Sequence, residues 1–111
     1  MAFVKICTVS ELPPGEGKYV DEGPEPIAVF NIDGEFFAID DTCTHGEWSL
    51  CDGYVEGHEV ECTLHMAKFC LRTGAVTAAP AEIPVKVYPV RVEDENVLVD
   101  LDGGHYAAED G

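Results

Sequence analysis

The chain is short of positive charge. Six lysines and arginines stand against 22 aspartates and glutamates, a formal net charge of −16 over 111 residues. Such a balance repels nucleic acid and anionic lipid headgroups and favours encounters with basic protein surfaces. Long apolar runs are missing as well. Hydrophobic residues make up 46% of the chain but fall in short stretches, far from the ~18 uninterrupted residues of a membrane span, so no membrane contact is expected. The segment Met1-Ala2-Phe3-Val4-Lys5-Ile6 has neither an adequate apolar signal core nor a small-residue cleavage site, which makes the cytoplasm the expected location. Also absent are a glycine loop to cradle phosphate and a serine or cysteine nucleophile beside a base, so nothing points to bond-making chemistry of the chain's own. Five cysteines is an odd number, and in a cytosolic protein those without a metal role are most simply free thiols.

A chain of this length fits one domain, spanning residues 1–111, since a domain of about this size buries roughly two-thirds of its unfolded surface. Helical periodicity is weak throughout. Turn signals recur at short intervals between runs rich in β-branched and aromatic residues, which argues for an antiparallel all-β fold with, at most, short helix. Strands are expected over 3–8, 18–20, 27–32, 35–40, 58–61, 68–71, 83–92 and 97–101. Asp33-Gly34 between two of them suits a two-residue hairpin turn with positive φ, and Glu93-Asp94-Glu95-Asn96 turns a second hairpin. In the strand over 83–92 the apolar alternation slips across Pro89, which suggests a bulge or an edge. Ala78-Ala79-Pro80 reads as a linker, and the tail from Gly103 as loose.

Between residues 41 and 67 the regular patterning gives way to glycines and two short words, Cys43-Thr44-His45 and Cys62-Thr63-Leu64-His65. Each pairs one cysteine with one histidine. A structural zinc site of the common kind gathers cysteines in one knuckle and histidines in another. Mixed words instead suit a two-iron, two-sulfur cluster in which histidines replace two of the cysteines, with each loop offering both ligand types. A closed Cys2His2 zinc site remains the alternative, and colour separates the two because zinc is spectroscopically silent. The other histidines, His58 and His105, have no cysteine in step with them and read as ordinary surface or core residues. Cys7 and Cys70 lie in apolar, strand-like surroundings, where a thiol behaves as a small hydrophobe. Cys51 sits in the loop between the words.

The blocks Gly34-Glu35-Phe36-Phe37-Ala38, Asp41-Thr42-Cys43-Thr44-His45-Gly46, Ser49-Leu50-Cys51-Asp52-Gly53-Tyr54, Glu61-Cys62-Thr63-Leu64-His65 and Lys68-Phe69-Cys70 resemble the Rieske-type ferredoxins of bacterial aromatic-ring-hydroxylating dioxygenase systems, in particular the toluene, benzene and biphenyl group. The likeness covers nearly the whole chain. It implies a Rieske fold, an antiparallel β-sandwich with a smaller cluster-binding subdomain over about 41–71, and one Rieske 2Fe-2S cluster. It also implies that Cys43 and Cys62 hold one iron and His45 and His65 the other, with the imidazoles at the solvent edge.

The resemblance further implies a monomeric one-electron carrier. Its partners would be an NADH-dependent flavoprotein ferredoxin reductase and a terminal oxygenase with its own Rieske centre. Because tunnelling falls steeply with distance, both are expected to dock where His45 and His65 are exposed, on a rim of Gly46, Glu47, Trp48, Leu64 and Met66. High-potential relatives add a disulfide and hydroxyl groups around the cluster. Here Leu64, Met66 and Ala67 stand in the corresponding places, so the potential is expected toward the low end of the Rieske range, roughly −150 mV. A different class of function, a Rieske subunit fixed inside an enzyme such as a nitrite reductase, would call for a broad apolar face.

Overall fold

The structure is a computed structural model that describes residues 3–42, 49–62, 67–79 and 83–106. Among the described residues eleven strands run in the order β1 (Phe3–Thr8), β2 (Gly17–Val20), β3 (Ile27–Ile32), β4 (Glu35–Asp40), β5 (Tyr54–Glu56), β6 (Glu59–Glu61), β7 (Lys68–Cys70), β8 (Val76–Ala78), β9 (Val87–Tyr88), β10 (Val90–Glu93) and β11 (Asn96–Asp100). Among the described residues helix is confined to two single 3-10 turns, Val9–Glu11 and Leu50–Asp52. The strands form three sheets, β1-β11-β10, β2-β3-β4-β9 and β5-β6-β7-β8. Every pairing is antiparallel, so the all-β expectation holds.

The β3–β4 hairpin shows how local chemistry sets register. Asp33 (φ 52°) and Gly34 (φ 94°) both take the left-handed region, which aspartate tolerates and glycine prefers, and the resulting turn matches the twist of the flanking strands. Asn31, 3% exposed, secures it by accepting the Gly34 amide on Oδ1 at 2.7 Å and donating Nδ2 to the Leu12 carbonyl at 2.7 Å. The acidic turn behaves likewise, with Asp94 (φ 51°) and Glu95 (φ 65°) left-handed between β10 and β11.

All six residues of β3 are buried because the middle sheet is covered on both faces. Ile27 and Val29 pack with Cys7, Val97, Val99 and Leu101 toward the first sheet. Ala28, Phe30 and Ile32 pack with Val60, Phe69, Leu71 and Val85 toward the third. Strand alternation puts successive side chains on opposite faces, and two apolar coverings turn the usual polar-out pattern into an apolar run that in β3 is interrupted by the hydrogen-bonded Asn31. β4 divides the same way, Phe36 and Ala38 to one core and Ile39 to the other.

The expected strand over 83–92 is two strands in different sheets. β9 pairs with β4 and β10 with β11, so Pro89 marks a crossing from the middle sheet to the first, at the edge of each. That crossing is why the apolar alternation slips there. A proline, which has no amide to donate, fits such a corner, and its carbonyl still accepts the Asp100 amide at 3.1 Å. Two strands escape sequence reading. β5 and β8 have three residues each, with the middle or end residues half-exposed rather than buried, unlike Val60 of β6 and Phe69 of β7, and they pair on the outer sides of those two strands. Of the stretch read as a linker, Ala78 is the last residue of β8, Ala79 follows it in a turn, and Pro80 lies outside the described residues. The tail after Gly103 is tied rather than loose at its start, since His105 pairs with Val87 through amide bonds of 2.9 and 3.0 Å.

Candidate metal centre

Of the sequence-derived ligands, Cys43, His45 and His65 lie outside the described residues, as do Gly46, Glu47, Trp48, Leu64 and Met66 of the expected rim. The stems that carry them are described. Segment 43–48 lies between Thr42 and Ser49, which pair as an antiparallel bridge. Segment 63–66 lies between Cys62 and Ala67, closed by the Cys62 amide donating to the Ala67 carbonyl at 2.8 Å. This continues the β6–β7 ladder past the pair Glu61–Lys68. The residues that bound each of these segments are thus paired with each other.

The two bases lie against each other. Leu50, Cys62 and Ala67 are each fully buried and belong to one apolar cluster. A side chain at Gly53 would strike the Glu61 carbonyl and reach within 2.8 Å of Val60 Cγ2, so the turn after the first word rests on the strand leading into the second. The Cys62 thiol is free and wholly buried at the root of its loop. A soft sulfur donor at the edge of an apolar core, with a second loop base in contact beside it, fits an iron–sulfur cluster held between two loops.

Asp41 organises the first base, a role that sequence reading missed. Its carboxylate, 3% exposed, accepts on Oδ1 the Ser49 hydroxyl at 2.8 Å and the Cys51 amide at 3.0 Å. Its carbonyl accepts the Leu50 amide at 2.6 Å, and its amide donates to the Pro26 carbonyl at 3.1 Å. The neighbouring Asp40 accepts the Tyr88 hydroxyl at 2.6 Å and the Lys86 amide at 2.9 Å. Burial, reinforced by that carboxylate, pushes the Tyr88 phenol far above its ordinary value. The sequence signal was a paired aspartate at the end of a strand, just before a glycine-punctuated loop.

The remaining candidates sit elsewhere in the described structure. His58 Nε2 lies 3.0 Å from Arg72 Nη2, and its ring meets Phe37 edge-on at 5.6 Å. His105 Nδ1 is 3.0 Å from the Gly103 carbonyl. Cys7, Cys51 and Cys70 are free thiols. Burial raises the Cys7 and Cys51 thiols, at Cys51 against a lowering contact with the Ser49 hydroxyl at 3.0 Å. No helix among the described residues is long and apolar enough to cross a membrane.

Comparison with known proteins agrees with this geometry. Residues 2–89 match the Rieske [2Fe-2S] domain family. The ferredoxin component of biphenyl 2,3-dioxygenase from Rhodococcus jostii (strain RHA1) is 55% identical over 104 residues, covering 94% of this chain and 97% of the relative. Among solved structures, Sphingomonas yanoikuyae B1 ferredoxin superposes with a TM-score of 0.84 at 41% identity, covering 89% of this chain and 98% of that one. A chain from the complex of reduced oxygenase and oxidised ferredoxin in carbazole 1,9a-dioxygenase gives 0.83 at 36% identity, covering 87% and 91%. The chain therefore belongs to the Rieske [2Fe-2S] family, among the ferredoxin components of dioxygenase systems, and it carries electrons on one Rieske cluster.

Proposed function

We propose that Cys43, His45, Cys62 and His65 hold the cluster, the two cysteines on one iron and the two histidines on the other. The chain then takes single electrons from an NADH-dependent flavoprotein reductase and delivers them to the Rieske centre of a terminal oxygenase that attacks an aromatic ring. The observation that carries this reading is the 55% identity, along nearly the full length of both chains, to a biphenyl dioxygenase ferredoxin component. When bound, the cluster supplies a one-electron couple. The chain's own residues do the rest: the Thr42–Ser49 and Cys62–Ala67 stems orient the two words, and the apolar cluster around Leu50 and Ala67 excludes water from the inner side. His45 and His65 face the partners at the exposed edge. The carrier works as a monomer in the cytoplasm, its residues 1–111 forming one domain in which about 41–71 build the cluster-binding part.

Electron-transfer encounters of this kind need only a small contact, under about 1,200 Å² in total. A net charge of −16 speeds approach to basic surfaces and makes that approach sensitive to salt. Identity to a ferredoxin component favours a shuttle over a subunit fixed inside a nitrite reductase. The purified protein should contain equal iron and acid-labile sulfide, about two of each per chain. NADH plus a reductase of a biphenyl-type system should bleach it, and its oxygenase should re-oxidise it. A colourless protein holding one zinc, or a reduced form that no oxygenase re-oxidises, ends this reading.

A further inference from the structure

Asp41 occupies a position that its burial makes costly. It is 3% exposed, and no salt bridge among the described residues includes it. A buried carboxylate is tolerated when hydrogen bonds satisfy it, and here both of its side-chain donors come from the far side of the first ligand loop, Ser49 Oγ at 2.8 Å and the Cys51 amide at 3.0 Å. The main chain adds the Leu50 amide on the Asp41 carbonyl at 2.6 Å. Three bonds thus join the residue two places before Cys43 to the three residues that follow Trp48. Pro26 holds the Asp41 amide from behind at 3.1 Å, tying the arrangement to the start of β3.

The Leu50 bond belongs to the antiparallel Thr42–Ser49 bridge, but nothing in β pairing needs the two side-chain contacts to Asp41 Oδ1, and β4 has already ended at Asp40. What they fix is the separation and orientation of the two ends of segment 43–48, and through Leu50 and Gly53 the placement of that base on β6. Outer groups that orient ligands are worth about 10- to 100-fold in metal affinity. We propose that Asp41 is a positioning residue for the cluster: its Oδ1 acts as a clamp across the base of the first ligand loop, and it governs how tightly the cluster is kept and how it is seen spectroscopically, rather than how stably the sheets fold. The proposal rests on the reading that segment 43–48 carries ligands to a 2Fe-2S cluster.

The test uses the full-length, cluster-loaded protein and three substitutions at the clamp. In Asp41→Ala the acceptor is lost, in Asp41→Asn an Oδ1 acceptor is kept without the charge, and in Ser49→Ala one donor goes. Asn31→Ala serves as the control. It removes another buried polar clamp, at 3% exposure, from the opposite end of the same sheet, where β3 pairs Ile32 with Glu35 rather than Ile27 with Asp40. The readouts are the rate at which an iron chelator removes the visible absorbance, the electron-paramagnetic spectrum after reduction, and the denaturant midpoint.

Asp41→Ala should lose its cluster about 10- to 100-fold faster and broaden the reduced spectrum. Ser49→Ala should fall between it and the unsubstituted protein, and Asp41→Asn should stay within about threefold of the unsubstituted rate, because its amide oxygen still accepts both donors. Asn31→Ala should lower the denaturant midpoint and leave the release rate within about twofold. The clamp is refuted if Asp41→Ala releases iron no faster than Asn31→Ala, or if Asp41→Asn is as fast as Asp41→Ala. Absence of two irons from the unsubstituted protein would instead sink the cluster reading beneath it.

Discussion

Gly53 joins the two ligand-loop bases, and replacing it by alanine separates steric from conformational effects. Its backbone is ordinary extended chain, φ −72° and ψ 171°, which any residue adopts. Space is the constraint. A methyl there would run into the Glu61 carbonyl, approach Val60 Cγ2 to 2.8 Å and the Leu50 carbonyl to 3.0 Å, and two of those neighbours are backbone on different elements. Relief requires the Leu50–Asp52 turn to lift off β6. Overpacking of this kind costs about 1–3 kcal/mol, and with a urea slope of about 1–3 kcal/mol/M the unfolding midpoint should fall by roughly 1 M. Because each element carries one ligand word, Gly53→Ala should also speed cluster loss to a chelator and alter the reduced electron-paramagnetic spectrum. Gly57→Ala is the matched comparison. Gly57 is exposed, nothing lies within 4 Å of its would-be methyl, and its φ of +60° makes left-handed strain the whole cost, about 1–2 kcal/mol. It should lower stability and leave the spectrum alone. A Gly53→Ala protein within about 0.5 kcal/mol of the parent, with an unchanged spectrum, would refute the contact between the bases.

Three further outcomes follow from the same structure. Tyr88→Phe removes the 2.6 Å bond to Asp40 and should cost about 1.5–3 kcal/mol in denaturant melts, as hydrogen bonds to charged groups do. The Tyr88 phenol is raised in the folded state, mainly by burial, so above about pH 10 the unfolded chain releases this proton while the folded one keeps it. The stability it contributes is intact below that pH and drains away above it, and Tyr88→Phe should flatten the alkaline limb; an unchanged limb would show that another group controls it. Phe30→Ala empties the fully buried centre of the middle sheet and should cost about 3–5 kcal/mol, measurable as a collapse of the denaturant midpoint. Glu25→Ala breaks the partly exposed 2.6 Å pair with Lys86, and a loss above about 1 kcal/mol would contradict the weakness expected of a surface pair.

Much of the fold can be read locally. Asp33-Gly34 turns its hairpin by its own φ preferences, and the antiparallel all-β class follows from short apolar runs between turns. Other features depend on what folds against them. The strand expected over 83–92 splits at Pro89 because two sheets claim its halves. β5 and β8 take their form from β6 and β7. Of the candidate ligands, Cys62 is seen at the root of its loop, buried and unbridged.

Taken alone, the order of residues determined the chemistry on offer: two mixed Cys/His words, four ligands of two types at set spacings, and a strongly acidic charge balance. These are properties of side chains and their near neighbours, and no long-range contact is needed to state them. Tertiary structure decided what holds the words in place. That β3 is buried on both faces, that Gly53 must be bare because Glu61 lies over it, and that the Asp41 carboxylate finds its donors on Ser49 and Cys51 all depend on segments meeting after loop closure. Burial and hydrogen-bond partnership belong to the assembled core, and local sequence does not encode which partner arrives.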